Sequence, residues 1–433
     1  MLVNGSKYLK LSSVAILILS SSLSHSAGFA LNDHSATASG SALAGAAASD
    51  TDISFSYWNP ALFLNTTKST IYASGALIIP STEVEVTEAS TASATGGLDL
   101  GTDTVSNYVD ETLIPALYFA RPLSVNTVAG VSLNTPFGLS GDYGDDWSGR
   151  FHATESSIQD IALSFTLAHR MNQKLSLGGS LQLHQAEVVL GSAVGSTNSA
   201  AGGEGTGYIE AEATGYGYSL GVLFEPVQGT RIGLGYRSKV DFDFEGSVTY
   251  SGVSSTLAAL ASLEDTTVTD SLTFPSLLTI SLDQHLSNKL TLGLTAMKTG
   301  WDVVDELRID YDSNQSDSVV TFSYTDQWFY SAGLSYDYSD KWVLRTGVAV
   351  DQSPATDEYR SARAPDGDRY WFTLGGTYIY SGDTTLNFSY AYVEVEDVSI
   401  ARGDADEDSS RGNLSADYES SVHIISLALN TSF

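Results

Sequence analysis

From residue 69 to the C-terminus, apolar residues alternate with small or polar residues in segments of ten or more, and few folds accommodate that pattern. In residues 173–188, leucines alternate with serine, glycine and glutamine, and the last segment alternates in the same way back from Phe433. Because successive side chains of a strand point to opposite faces, these segments are predicted to be β-strands with one apolar face.

Two architectures produce such strands: a soluble sandwich or solenoid with the apolar face in its core, and a membrane barrel with that face on lipid. Sandwich strands usually have about five or six residues, whereas a tilted strand needs roughly 9–11 to cross a bilayer. Aromatic residues also gather near the segment ends, as interface girdles do. The girdle candidates are Trp328, Tyr330, Tyr336, Tyr338, Trp342, Tyr378, Tyr380, Tyr390 and Tyr392. The pattern therefore favours a transmembrane barrel.

The connections between the segments alternate between short and long. Six are tight ("PLSVN", "RMNQK", "PVQGT", "HLSNK", "YSDK" and "SGDT") and seven are long. Fourteen antiparallel strands with both termini on one side require this number of each, with short turns facing the periplasm. The predicted strands are 69–80, 114–122, 125–135, 157–170, 173–188, 214–226, 229–241, 271–286, 289–301, 325–338, 340–352, 369–380, 383–397 and 419–433.

The N-terminus predicts export. Residues 1–26 have Lys7 and Lys10, then the apolar run 14–19, then small residues ending at Ser26, which is the pattern of a secretory signal peptide. The apolar run is too short for a spanning helix, and no other window of about 18 apolar residues exists. We therefore expect a protein of the bacterial outer membrane, crossing it with the strands of residues 69–433.

Residues 27–68 precede the first strand and lack its period. Within them "YWNPA" places Asn59 as a helix N-cap, Pro60 at the first helical position and Ala61 after it. Aromatic and apolar residues surround this motif, and a free periplasmic tail would have little reason to carry them. The segment is predicted to be a small, partly helical hatch that plugs the barrel; a short docking arm with purely structural packing is the alternative.

The alternation places some apolar residues on the inward face of the strands, where an aqueous channel would carry polar ones. They are Val188, Leu190, Trp371, Val422 and Ile424. These residues predict a pocket for a hydrophobic ligand, although packing against the hatch would explain them equally. Inward cations are few: Arg237, Lys239 and Arg345 are possible partners of a ligand carboxylate, or of the chain's own acids.

The charge balance excludes one class of partner. The chain has 20 Lys and Arg against 51 Asp and Glu, a formal net charge of −31, so nucleic acid is not an expected partner. The acids cluster in the long loops, where they are expected to be solvated; a divalent-cation role at the lipopolysaccharide surface is the alternative.

Enzyme chemistry is not predicted. The histidines have no metal-ligand spacing, there is no Gly-x-Ser-x-Gly context, and no loop that would cradle phosphate is present. No metal, no cofactor and no catalytic residue is therefore expected. An outer-membrane hydrolase built around His152 is the alternative.

Several stretches together resemble the FadL family of outer-membrane transporters for long-chain fatty acids and other hydrophobic compounds. They are "AGFALND", "YWNPA", "NTPFGLSGDYGDDWSGRFHA", "YRSKVDFDFEG" and "DKWVLRTGVAVDQSPATDEYRSARAPDGDRYWFTLGGTYIY". The resemblance implies a 14-stranded barrel with an N-terminal hatch, a pocket near Phe29, and gating through Asn59, Pro60 and Ala61. It also implies a kink in the third strand that opens a lateral gap, for which Gly130 is the candidate.

The function expected from this resemblance is passive uptake of long-chain fatty acids or similar hydrophobic molecules. Leu190 stands where a pocket arginine is expected, which makes a neutral or aromatic hydrocarbon an alternative ligand. A structural or general porin with a surface-receptor role is the alternative from another class. Expected partners are outer-membrane lipid, lipopolysaccharide, and the barrel-assembly machinery, through the strand that ends at Phe433.

Overall fold

The computed structural model describes residues 28–195, 203–403 and 405–433. The predicted signal peptide, residues 1–26, lies outside the described residues, and so does Asp404 of the acidic loops.

Fourteen antiparallel strands form a closed barrel in which the last strand pairs with the first. Two wall strands are interrupted, so each consists of two segments. The strand segments are β1 (Thr70–Ala89), β2 (Thr104–Ser106), β3 (Thr112–Ser124), β4 (Thr127–Asp142), β5 (Glu155–Arg170), β6 (Leu175–Gly195), β7 (Glu204–Val227), β8 (Thr230–Arg237), β9 (Val240–Ser251), β10 (Thr266–Phe274), β11 (Leu277–His285), β12 (Leu290–Thr299), β13 (Glu306–Tyr311), β14 (Ser318–Thr321), β15 (Gln327–Ser339), β16 (Trp342–Asp351), β17 (Arg369–Ser381), β18 (Thr384–Val395), β19 (Val398–Arg402) and β20 (Leu414–Ser432).

The order round the wall follows the chain. The wall strands are β1, β3, β4, β5, β6, β7, β8 with β9, β10 with β11, β12, β15, β16, β17, β18 and β20. The short segments β2, β13, β14 and β19 extend the wall on the side of the long loops. The predicted 14-stranded barrel is confirmed, and its six tight turns fall where the sequence placed them.

The alternation reflects the two environments of the wall. On β6, Leu181 is 72% exposed on the outer face, whereas its neighbour Gln182 is 4% exposed and faces the lumen. Leucine and aromatic side chains cover the outer face of the other wall strands in the same way. The apolar face of the strands is therefore the lipid face.

Helices are few and short. They are α1 (Ala36–Ser39), α2 (Ser255–Ala261) and the 3₁₀ helices Ile53–Tyr57, Pro60–Asn65, Ser93–Thr95, Trp301–Val303 and Asp406–Ser410. In the described part of the chain, none of them has the length and apolar character that a membrane-crossing helix requires.

The hatch, residues 28–68, fills the lumen and rests on glycines of the wall. A Cβ atom at any of nine inward-facing wall glycines would lie within 2.6 Å of a hatch atom, so these positions accept no larger residue without movement. This glycine belt consists of Gly130, Gly178, Gly221, Gly233, Gly235, Gly293, Gly333, Gly347 and Gly375. The hatch backbone is thereby packed directly against strand backbone.

Loops cover the outer mouth of the barrel. Tyr143 stacks between Tyr108 and Trp147, with ring centroids 4.6 and 4.3 Å apart. Asp408 is buried and pairs with Arg402 and Arg411 at 2.6 and 2.8 Å. The expectation that the loop acids are solvated is therefore wrong for Asp408, which is buried among the loops that cover the mouth and pairs with two of their arginines.

Candidate functional site

The "YWNPA" motif joins two parts of the hatch to the wall. Asn59 caps the helix Pro60–Asn65, because its Oδ1 accepts from the amide of Ala61 at 3.0 Å. Its Nδ2 donates to the carbonyl of Ala47 at 2.7 Å and to that of Val222, on β7, at 3.0 Å. The predicted cap is present, and the side chain also links the hatch to the barrel.

The first described residues of the hatch take the place of a wall strand. The amide of Leu31 donates to the carbonyl of Pro136 at 2.8 Å, and that of Gly138 donates to the carbonyl of Phe29 at 2.7 Å. β5 occupies one edge of β4 along this stretch. On the opposite edge, β4 pairs with β3 only as far as Leu133. The outer half of β4 is thus separated from β3 and hydrogen-bonded to the hatch instead.

The irregularity of β4 lies further along the strand than predicted. Register with β5 shifts between Asn134 and Phe137, whereas Gly130 lies in an unbroken ladder with both neighbours. The choice of Gly130 as the kink is therefore corrected to Thr135–Pro136, because proline supplies no amide to a ladder. Gly130 is instead the place where the ring of Phe63 touches the wall.

Phe29 sits in a cluster of aromatic rings. Its ring centroid lies 4.6 Å from that of Trp301, 5.0 Å from that of Phe274 and 5.8 Å from that of Phe137, all edge to face. Because Phe137 belongs to the irregular part of β4, this cluster joins the start of the hatch to that strand by packing as well as by hydrogen bonds.

Two narrow cavities flank this region. The first, which we call the inner cavity, has a free volume of about 30 Å³ and reaches β4 at Pro136 and Phe137. The second, the outer cavity, has about 20 Å³ and is enclosed almost entirely by apolar side chains. Phe29 is part of the wall of the outer cavity, while Ala30 and Leu31 line the inner one. Either cavity must widen to hold a ligand larger than water.

The inner cavity contains one of the predicted cations. The guanidinium of Arg237 lies 4.3 Å from the ring centroid of Tyr57, and with its amide oxygen turned inward Gln182 accepts from Arg237 at 3.0 Å. His34 of the hatch also lies against Tyr57, with 3.6 Å between the ring centroids. Burial and the charge of Arg237 lower the pKa of His34 to about 3, so its imidazole is neutral. Arg237 is thus the local positive charge.

The outer cavity contains the two predicted residues of β6. Val188 and Leu190 line it, together with other apolar side chains of the wall and its extension. These neighbours are Leu139, Ile158, Leu272, Leu307, Phe322 and Tyr324.

Arg363 closes the same cavity and was not among the predicted residues. Its guanidinium donates to the carbonyl of Glu155 at 3.1 Å, the hydroxyl of Ser156 at 3.0 Å and the carbonyl of Gly191 at 3.3 Å. None of the carboxylates that the structure describes forms an ion pair with it. Parity along a strand could not find this residue, because it lies in the long loop between β16 and β17.

Three predicted pocket residues do not line either cavity. Trp371, Val422 and Ile424 are buried in the cluster that the wall forms with the hatch. Their prediction as pocket residues is therefore corrected: they pack against the hatch, which was the alternative stated for them. Their inward parity was right, but parity does not reveal the height at which the hatch fills the lumen.

Two of the predicted cations lie away from the cavities. Lys239 is exposed and pairs with Asp241 at 3.2 Å, because the break between β8 and β9 inserts Ser238 and reverses the alternation. Its prediction as an inward residue was wrong. Arg345 faces the lumen and donates to the hydroxyl of Thr377 at 2.6 Å. It lines neither of the two cavities but a third one, on the side of the hatch that faces the short turns.

The fold and this site define a class of protein: an outer-membrane barrel closed by its own N-terminal segment, with two narrow cavities beside the closure. Residues 17–433 match the family described as outer membrane protein transport protein (OMPP1/FadL/TodX), and the chain belongs to that family. It is therefore an outer-membrane transport protein for hydrophobic compounds, not an enzyme.

Relatives and solved structures agree with this assignment over most of the chain. Outer membrane protein P1 of Haemophilus influenzae is 27% identical, over 96% of this chain and 97% of its own. A long-chain fatty acid transport protein of Escherichia coli is 26% identical, over 90% and 92%. In structure, a FadL homologue of Pseudomonas aeruginosa matches 94% of this chain and all of its own, with a TM-score of 0.83 at 19% identity. The Pseudomonas putida toluene transporter TodX also matches 94% of this chain and all of its own, with a TM-score of 0.68 at 16% identity.

Proposed function

We propose that this barrel imports long-chain fatty acids by passive diffusion, with the hydrocarbon chain in the apolar outer cavity and the carboxylate on Arg363. The observation that carries this choice is a guanidinium at the edge of the apolar outer cavity without a described carboxylate partner. Burial and the neighbouring Arg411 lower the pKa of Arg363 to about 9, so it stays charged at neutral pH and gains from an anionic ligand.

The rest of a fatty acid is matched by the apolar lining. Burial of a hydrocarbon chain contributes about 0.8 kcal/mol per CH₂, whereas a water-filled channel would offer it no favourable site. The hatch also argues against a general porin, because its buried residues occupy the lumen that an aqueous channel would need. The relative named as a long-chain fatty acid transport protein supports the same ligand class.

The hatch and β4 suggest how the ligand leaves. A chain entering the narrow cavities displaces Phe29, and Phe29 is hydrogen-bonded and packed to the irregular part of β4. Movement of this segment opens the space between β3 and β4, where the ladder ends at Leu133. The ligand then passes sideways into the outer leaflet without being rehydrated.

Transport of a neutral aromatic hydrocarbon is the second candidate. The solved structure of TodX is that of a toluene transporter, and the outer cavity has an apolar lining apart from Arg363, Ser156 and the hydroxyl of Tyr324. Because such a ligand has no carboxylate, the two candidates differ in what they require of Arg363.

The test compares the binding of oleate and of oleyl alcohol to purified protein. A hydrogen bond to a charged group contributes about 1.5–3 kcal/mol, so Arg363→Met is expected to weaken oleate binding at least about tenfold. Binding of the alcohol should change little, and Arg363→Lys should recover part of the loss. Lys239→Met, which removes an exposed cation of the outer surface, is the matched control.

Equal losses for both ligands in Arg363→Met, or no loss for oleate, would overturn the carboxylate assignment. Stronger binding of toluene than of oleate by the unaltered protein would favour the second candidate.

We also propose that the protein contacts lipopolysaccharide in the membrane and the barrel-assembly machinery during folding. Phe433 follows β20, is 69% exposed, and donates its amide to the carbonyl of Ser69 at 2.8 Å, so the closing strand presents an apolar side chain for recognition during assembly.

A further inference from the structure

Three potential metal ligands lie together on the side of the hatch that faces the short turns. Asp50 belongs to the hatch, while Asp283 and His285 are on the wall strand β11. Each residue offers one ligand atom, and these atoms all lie within 4.8 Å of one another. We propose that Asp50, Asp283 and His285 form a divalent-cation site, with Zn²⁺ as the preferred ion, that joins the hatch to the barrel wall.

The spacing of the ligand atoms is close to that of a zinc centre. Nε2 of His285 lies 3.4 Å from Oδ2 of Asp50 and 3.8 Å from Oδ1 of Asp283. Around a tetrahedral ion with ligands at about 2.0–2.1 Å, ligand atoms are about 3.3 Å apart. Small rotations of the three side chains would therefore bring them to an ion.

Asp283 provides an independent sign that something is bound there. It is 6% exposed, and its Oδ1 has no hydrogen-bond partner among the described residues. A buried carboxylate oxygen without a partner is unfavourable. Because this oxygen is directed toward His285, a cation held by both residues would satisfy it.

The nearby charges leave room for a cation. Arg231 is the closest positive group, 3.9 Å from Oδ2 of Asp50, but it also lies 3.6 Å from Glu225 and donates to Asn65 at 3.1 Å. One guanidinium thus serves three carboxylates, those of Asp50, Asp283 and Glu225. Lys289 and Arg345 also line the cavity, but among the described residues neither forms an ion pair with Asp50 or Asp283.

The ligand set and its surroundings favour zinc. One imidazole with two carboxylates suits first-row ions such as Zn²⁺, whereas Ca²⁺ and Mg²⁺ prefer oxygen ligands alone. The three residues line a cavity of about 290 Å³ that leaves space for water to complete the coordination. The sequence could not predict this site, because Asp50 is far from the other two ligands along the chain.

The consequence follows from where the ligands are anchored. An ion held by Asp50 together with Asp283 and His285 stabilises the hatch in its place on the wall. It does so below the apolar cavities, away from Phe29 and Arg363, and so does not depend on which ligand is transported.

The experiment uses the full-length mature protein in detergent, freed of metal with EDTA and titrated with Zn²⁺ by calorimetry. We expect one strongly bound ion per chain and a higher melting temperature in its presence. Since even the outer partners of metal ligands contribute about 10- to 100-fold in affinity, Asp283→Asn and His285→Gln should each weaken binding at least about tenfold. Asp337→Asn, which alters another acid of the same cavity, is the matched control.

Two results would overturn the proposal: no saturable Zn²⁺ binding by the unaltered protein, or unchanged binding in both Asp283→Asn and His285→Gln. Asp50→Asn tests the link to the hatch separately. It should lose both affinity and the zinc-dependent rise in melting temperature, and retention of both would confine the site to the wall. Heat-modifiable mobility on gels shows that each variant still forms the barrel.

Discussion

The two ends of the hatch are held in the barrel in different ways. Residues 40–63 rest on the glycine belt, with backbone against backbone, and Asn59 adds hydrogen bonds to the wall. The segment Phe29–Leu31 instead makes two backbone hydrogen bonds to an irregular part of one strand, beside two cavities. The first arrangement leaves no space between the two backbones at the glycine contacts, whereas the second can be exchanged for a ligand.

This difference indicates how much of the hatch takes part in transport. Small displacement at the belt would force atoms into overlap, because interiors of this density are not compressible. Displacement of the segment Phe29–Leu31 breaks two backbone hydrogen bonds and the edge-to-face ring contacts of Phe29, and it acts directly on β4. We therefore expect transport to require motion of the first hatch residues while the remainder stays fixed.

The largest effect on uptake is expected when a disulfide fixes the segment Phe29–Leu31 to β4. Ala30 and Phe137 are bridge partners whose neighbours carry the hydrogen bonds, a pairing in which Cα atoms are about 4.5 Å apart. Since the chain has no cysteine, Ala30→Cys with Phe137→Cys should form a single disulfide. Uptake of labelled oleate should fall to background when it is oxidised and return when it is reduced.

The control lock lies at the fixed end. A Cβ at Gly333 would be 3.0 Å from Cβ of Ser41 and 2.6 Å from its carbonyl oxygen, so Ser41→Cys with Gly333→Cys joins the hatch to the wall there only after a local shift of the backbone. The comparison is therefore made within the variant: uptake should be nearly the same whether this pair is oxidised or reduced. If it abolishes uptake as the first pair does, the whole hatch moves and the comparison fails.

A smaller effect is expected from disturbing the belt. A Cβ at Gly178 would lie 2.3 Å from the amide nitrogen of Ala61, whereas at the adjacent Gly179 it would lie 3.7 Å from Leu220, an ordinary contact. Overpacking of this kind costs about 1–3 kcal/mol. Gly178→Ala should therefore lower the melting temperature of the barrel, while Gly179→Ala should not, as measured by heat-modifiable mobility on gels. Equal melting temperatures would show that the hatch yields at this point.

Much of the wall could be predicted from the sequence, because each strand carries its own alternation between lipid and lumen. The interruptions could not: at Ser238 one inserted residue reverses the alternation, which misplaced Lys239. The glycine belt was visible as inward glycines in segments such as "TRIGLGYR" and "WVLRTGVAVD". The role of these glycines could not be predicted, because nothing in the sequence of a strand shows which other segment packs against that strand.

The site was less predictable than the wall, for a related reason. Val188 and Leu190 were found because they continue a strand, but Arg363 reaches the same cavity from a loop. Asp50 meets Asp283 and His285 only because the hatch folds back into the lumen. Contacts between the hatch, the loops and the wall are long-range, and residue periodicity carries no information about them.

The smallest effect on uptake should come from the "YWNPA" motif, and its two variants separate the cap from the link to the wall. Asn59→Asp keeps an oxygen for the amide of Ala61 but loses the donor to Ala47 and Val222. Leaving two buried carbonyls unpaired costs about 1–3 kcal/mol each, so the hatch should loosen while the barrel stays folded. Pro60→Ala removes a conformational restriction worth up to about 1 kcal/mol and part of a buried ring, but it leaves the hydrogen bonds of Asn59 in place. We expect a several-fold loss of oleate uptake in Asn59→Asp and less in Pro60→Ala. Normal uptake by Asn59→Asp would mean that this end of the hatch need not be held for transport, and the firm anchoring inferred for it would then serve assembly of the barrel alone.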